Sequence, residues 1–205
     1  MEQNKFYTLP KMPYGYKELE PYISEEQLLT HHQKHHISYV NGANRVLEEI
    51  ERAREESIDL DMGAKLKELS FYIGGHILHS LFWNNMAPNN KGGGGEPTGE
   101  LLQFITKEFG NFDRFKKEFI LSTLNIEGSG WSALTYDKNT DRLIIMQIEK
   151  HNLNIYPTFS ILMVFDFWEH AYYIDCKSEK SKFIDAFWNI INWTEVNKRL
   201  NESKK

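Results

Sequence analysis

The sequence predicts an α+β protein: a long N-terminal α-helical hairpin, then a C-terminal domain with a three-stranded antiparallel sheet and helices. Three observations carry this. Apolar residues recur at threes and fours up to Met86, four glycines run from Gly92 to Gly95, and strand-like segments parted by turn residues begin at Trp131. Helices, then strands, then helices is not the strand-helix alternation of a parallel sheet.

Met1 to Tyr22 carries Pro10, Pro13 and Pro21 among aromatic residues, which suits an extended arm wrapped on the core. Ser24 then precedes Glu25, Glu26 and Gln27, the N-cap, acidic first turn and third-position glutamine that open a helix. That helix extends to about Glu56, with an apolar face that includes Leu28, Tyr39, Val40, Ala43, Val46 and Ile50. A second helix fits Leu60 to Met86, and Gly74 with Gly75 inside it predicts either close packing against a neighbour or a local distortion. Pro88 to Gly99 reads as a linker, dividing the chain into residues 1–91, arm and α-hairpin, and 92–205, linker and α+β domain. Leu101 to Phe109 and Asp113 to Leu124 read as helices, the second capped by Asn111. WSALTYD, a turn with Asn139 and Asp141, and RLIIMQIE read as a strand pair, and Phe159 to Phe165 as a third strand. Ser178 to Ile191 and Thr194 to Leu200 close the chain as helices.

With 205 residues, 40% hydrophobic and 26% charged, the chain has the composition of a soluble globular protein with a sizeable core. A net charge of −5 argues against nucleic-acid binding, which needs a basic footprint. Cys176 is the only cysteine, so an internal disulfide and a thiolate zinc cage are excluded and a reducing compartment is expected. The N-terminus lacks the apolar stretch of a signal peptide and Ile161 to Phe165 is too short to span a bilayer, so a cytoplasmic protein without membrane contact is expected.

The eight histidines are clustered: His31, His32, His35 and His36 on the first helix, His76 and His79 on the second, then His151 and His170. At α-helical pitch His31, His35 and Tyr39 share a face, while His32 and His36 point about a quarter-turn away. For His32, His36 and His76 the ordinary reading as hydrogen-bonded core or surface residues stands. His31, His79, Asp166 and His170 lie on segments with strong apolar flanks, and three imidazoles with one carboxylate form a set suited to iron or manganese, and also to zinc.

The motifs HHQKHHISYVNGAN, GGHILHSLFW, GSGW and DFWEHAYY, with the YTLPKMPYGYKELEP arm and the late FWNIINW, resemble the iron/manganese superoxide dismutases over nearly the whole chain. The resemblance implies one iron or manganese ion per subunit, held by His31, His79, Asp166 and His170, that disproportionates superoxide. It implies that Tyr39 and His35 guard the substrate channel, that Trp83, Trp131 and Trp168 form an aromatic wall, and that Glu169 and Tyr173 reach across a dimer interface. Two departures stand out. Gly75 and the KHN stretch occupy the two places where the family carries a glutamine, so His151 takes that role, as in an archaeal, mostly iron-dependent branch in which tetramers also occur. Lys180 replaces a channel arginine, keeping its charge without the bidentate fork. An iron-sequestering helical protein would need several glutamates and a pair of Glu-x-x-His motifs spread over four helices, a set this chain does not show. A catalytically inactive metal-binding homologue is the remaining alternative.

Overall fold

The structure, a computed structural model, describes residues 6–205, so Met1 to Lys5 of the predicted arm lie outside the described residues. The rest of the arm wraps the core through turns: Leu19 and Ile23 are buried, and the Tyr14 hydroxyl donates to the Trp83 carbonyl at 3.0 Å. Ser24 caps α1 (Glu25–Thr30), its hydroxyl accepting from Gln27 N at 3.1 Å. The chain passes without a break through one wide π-helical stretch, His31–His36, into α2 (Ile37–Glu55).

Asp61 caps α3 (Met62–Asn84), starting it two residues later than the periodicity suggested. Gly74 and Gly75 do not interrupt it. They permit close packing, since a Cβ on Gly74 would lie 2.2 Å from the His151 carbonyl oxygen and one on Gly75 2.7 Å from the Tyr39 ring. Close approach, not distortion, is therefore what the glycine pair provides.

The stretch after α3 is fastened to the end of the chain. Ala87 N donates to Ile190 O at 2.8 Å and Gly94 N to Ile191 O at 2.9 Å. The helices α4 (Gly99–Phe109) and α5 (Phe112–Leu124) follow, with Asn111 capping α5 as expected. The sheet is β2 (Arg142–Glu149), β1 (Gly130–Asp137) and β3 (Ser160–Asp166) in that spatial order, both pairs antiparallel. β1 is buried along its whole length: α5 packs on it, α4 and α5 cover β2, and α3 and α8 lie against β3. β3 begins and ends one residue later than predicted, which puts Asp166 on its last position, opposite Trp131.

Beyond it come a 3-10 turn, Glu169–Ala171, and the short α6 (Tyr173–Cys176), neither of which has enough residues to show a period. α7 (Lys180–Trp188) is shorter than expected because Ile190 and Ile191 leave the helix to pair with Ala87 and Met86. Asn192 then caps α8 (Trp193–Ser203). The buried Asn85 side chain, at the end of α3, accepts from Val164 N at 2.9 Å, while its backbone carbonyl accepts from Asn192 N at 2.7 Å. This ties the α-hairpin to β3. Among the described residues no helix is long and apolar enough to cross a membrane.

Candidate metal centre

The site is assembled from three separated segments. His31 enters at the start of the wide stretch of the first helix, where Ile37 N reaches back to the carbonyl of His32, five residues earlier. One such turn shifts the phase of the helix, so uniform α-helical pitch misplaces His36. That ring does not turn away: it stacks 5.3 Å from His79, and its Nδ1 accepts from Trp83 Nε1 at 2.9 Å. Its role is nevertheless that of a hydrogen-bonded core residue, with Nε2 on His76 Nδ1 at 2.9 Å. His32 is likewise satisfied, by the Pro10 carbonyl at 3.0 Å and the Tyr16 hydroxyl at 2.8 Å.

His79 comes from α3, fully buried, with Nδ1 2.6 Å from the Gly75 carbonyl of the preceding turn. A carbonyl only accepts, so Nδ1 carries the proton and Nε2 the lone pair. Asp166 is equally buried at the end of β3, its Oδ1 accepting from Trp168 N at 3.0 Å. His170 sits four residues on, in the 3-10 turn.

These elements bring one donor atom from each of His31, His79, Asp166 and His170 within 4.8 Å of one another. Asp166 Oδ2 is 3.1 Å from His31 Nε2, 3.5 Å from His79 Nε2 and 3.2 Å from His170 Nε2. Ligands about 2.0–2.2 Å from one first-row ion lie about 2.8–3.8 Å from their neighbours, so the spacing fits an ion among them. His31 Nε2 and His79 Nε2 are buried with no hydrogen-bond partner, a costly state that a cation would relieve. Burial lowers His31 to about 4 and carries His79 well below the imidazole range, so both present lone pairs at neutral pH. Burial alone would raise the Asp166 carboxyl, but the imidazoles of His170 and His31 hold it well below the usual carboxylate range. The result is one carboxylate beside two imidazoles that burial keeps neutral, with His170 as the fourth donor, a set that fits the ion implied by the family resemblance.

A shell of rings surrounds the four. Trp83 packs on His31 at 4.8 Å and Trp131 on His79 at 4.9 Å. Trp168 stacks flat on His151, 4.4 Å between centres at an interplanar angle of 7°. Trp131 Nε1 donates to His151 Nδ1 at 3.0 Å, so the His151 proton resides on Nε2, which is buried without a protein partner. Burial lowers His151 to about 3, so the ring is neutral. Tyr39 lies 4.5 Å from His151 and 5.0 Å from His79, its phenol raised above the usual value by burial and then by the Asp166 charge. His35, half-buried, stacks on His170 at 4.5 Å.

Other predicted site residues lie outside this cluster. Glu169 and the 49% exposed Tyr173 face outward from the segment that carries His170. Lys180 is exposed, its ammonium 5.2 Å from the Phe167 ring. Sequence reasoning passed over Phe71, which packs on His151 at 4.8 Å and Tyr39 at 5.8 Å, because an aromatic at helical spacing reads as core. It also treated Gln27 only as part of a helix start.

Comparison with known proteins gives one answer along the chain. Residues 6–87 match the family description "Iron/manganese superoxide dismutases, alpha-hairpin domain" and residues 97–199 match "Iron/manganese superoxide dismutases, C-terminal domain". A protein of Methanothermobacter marburgensis named superoxide dismutase (Fe) is 56% identical, covering 98% of each chain. One of the same name from Pyrobaculum aerophilum is 48% identical over 99% of this chain and 96% of its own. A protein of Aeropyrum pernix named superoxide dismutase (Mn/Fe) is 45% identical over 97% of this chain and 92% of its own.

Proposed function

The chain belongs to the iron/manganese superoxide dismutase family; it is a superoxide dismutase, and we propose that His31, His79, Asp166 and His170 hold its one metal ion, iron in preference to manganese. The observation that carries this is the convergence of three imidazole Nε2 atoms on one carboxylate oxygen, two of them buried without a partner. The preference for iron rests on the names of the similar proteins, two naming iron alone and one naming both metals.

The reaction turns two superoxide anions and two protons into oxygen and hydrogen peroxide. A bound iron or manganese ion supplies the one-electron redox chemistry. The chain's own residues hold protons and exclude water. Tyr39 stays protonated at neutral pH and His151 keeps a proton on Nε2, so two donors stand beside His79. Asp166 contributes the single negative charge among the ligands, and Trp83, Trp131 and Trp168 keep the site dry, which strengthens each polar interaction there. His35, stacked on His170 yet half-exposed, marks the side from which an anion enters. Lys180 adds positive charge to an acidic protein, a local attraction for that anion.

We also propose a homo-oligomer, a dimer or tetramer, with Glu169 and Tyr173 at the interface. Their outward position on the segment that carries His170 supports this. Residues 1–91 and 92–205 form its two parts, each contributing two of the four ligands. A reducing cytoplasm suits the single cysteine.

The test is superoxide turnover by the iron-loaded protein beside the His79→Ala variant, with iron content measured on both. Turnover in the first, and loss of both iron and turnover in the second, is the expected result. Full iron retention by His79→Ala would refute the ligand assignment. Glu169→Ala is expected to shift the sedimentation profile toward monomer, and an unchanged profile at micromolar protein would remove Glu169 from the interface.

A further inference from the structure

We infer that Gln27 is a positioning residue for His170, fixing the backbone of one ligand to the helix that carries another. The inference rests on His170 and His31 both binding the ion. Gln27 lies on α1, four residues before His31, and is 1% exposed. Its Nε2 donates to the His170 carbonyl at 2.7 Å and its Oε1 accepts from Ile174 N at 3.1 Å. The partners decide the orientation of the amide, because a carbonyl can only accept and a backbone N–H can only donate.

His170 needs such a tie. The turn that bears it spans three residues and the helix after it four, too short to keep their shape without tertiary contacts. Other links hold the chain upstream of His170: Phe167 N donates to Gly130 O at 3.0 Å, and Trp168 Nε1 to Lys150 O at 3.1 Å. Gln27 grips the peptide of His170 itself. Beside it Ser24 N donates to Asp175 Oδ2 at 2.8 Å and Ser24 Oγ to Asp175 Oδ1 at 2.5 Å, a second tether between the same two segments that does not touch His170. It is the Gln27 bond that sets how far the His170 turn stands from His31, whose ring centre is 4.8 Å from that of His170. A glutamine is suited to this because one side chain satisfies a backbone acceptor and a backbone donor four residues apart.

The experiment uses the iron-loaded protein and two readouts besides activity, the rate of iron release to a chelator and the electron paramagnetic resonance spectrum of the ferric centre. Gln27→Glu keeps the size and the acceptor for Ile174 N but sets a carboxylate oxygen against the His170 carbonyl. Gln27→Leu removes both bonds without burying a charge, so a failure of the first variant to fold leaves the test intact. Both are expected to release iron about 10–100-fold faster, the usual effect of losing a group that orients a ligand, with an altered spectrum. Asp175→Ala, which cuts only the neighbouring tether, should keep the native spectrum. Native release rates and spectra in both Gln27 variants would overturn the inference, as would an Asp175→Ala spectrum shifted as far as theirs. A parallel His170→Ala sample keeps the two levels distinct: iron retained there would overturn the ligand assignment itself.

Discussion

At the residue scale, the contact that most affects chemistry is the hydrogen bond from Trp131 to His151. Because the indole can only donate, it selects the His151 tautomer with the proton on Nε2, and so makes His151 a donor and not an acceptor toward the site. Trp131→Phe removes that selection and leaves His151 Nδ1 buried and unpaired, at a cost of about 1–3 kcal/mol. The expected outcome is a lower denaturation midpoint together with a shifted reduction potential of the iron centre, read by redox titration; an unchanged potential would show that the tautomer does not matter. The sequence marked His151 as the substitute for a glutamine, but two ring nitrogens look identical in a sequence. His36 shows the opposite limit, since its position followed from a helical pitch that the wide turn at His31–His36 breaks. Gln27 was visible only as a capping residue, because its partners are 143 and 147 positions away.

At the element scale, α3 is a packing plane whose glycines let two other segments come close. Gly74 leaves space for the carbonyl of His151, and Gly75 leaves space for the Tyr39 ring. A methyl group at either place must displace backbone or an aromatic ring, and overpacking of this kind costs about 1–3 kcal/mol. Gly74→Ala should therefore reduce stability by about that amount in urea unfolding and lower turnover by moving His151, while Gly63→Ala, at the exposed start of the same helix, should do neither. The same geometry explains why a glutamine side chain does not occupy position 75 here. Period and caps made most elements legible: Ser24 and Asn111 begin helices where the sequence places them, and β2 has the predicted bounds. The boundaries that moved are set by tertiary pairing, as at the end of α7, where Ile190 and Ile191 pair with the chain after α3.

At the scale of the whole molecule, the proposed metal site draws on both ends of the chain, since His31 and His79 come from the α-hairpin and Asp166 and His170 from beyond the sheet. Without a cation the cluster holds a buried carboxylate beside His31 and His79, which burial keeps uncharged at neutral pH. A ligand that binds only the folded state stabilises it by about 2.7 kcal/mol when present at 100 times its Kd, which for a chain of this size is about 5–10 °C in Tm. Chelated protein should melt lower by at least that amount and recover on adding iron, whereas equal Tm values with and without iron would argue against a shared site. The sequence by itself determined the fold class and the family and pointed to four candidate donors that the fold brings together, because periodicity, capping and motif spacing are local properties written along the chain. Only the tertiary structure decided which nitrogen carries the lone pair in His79 and in His151, how the wide turn reorients the first helix, and that a glutamine on α1 grips the turn of His170. Those depend on partners distant in sequence, and a hydrogen bond has no direction until both of its ends are in place.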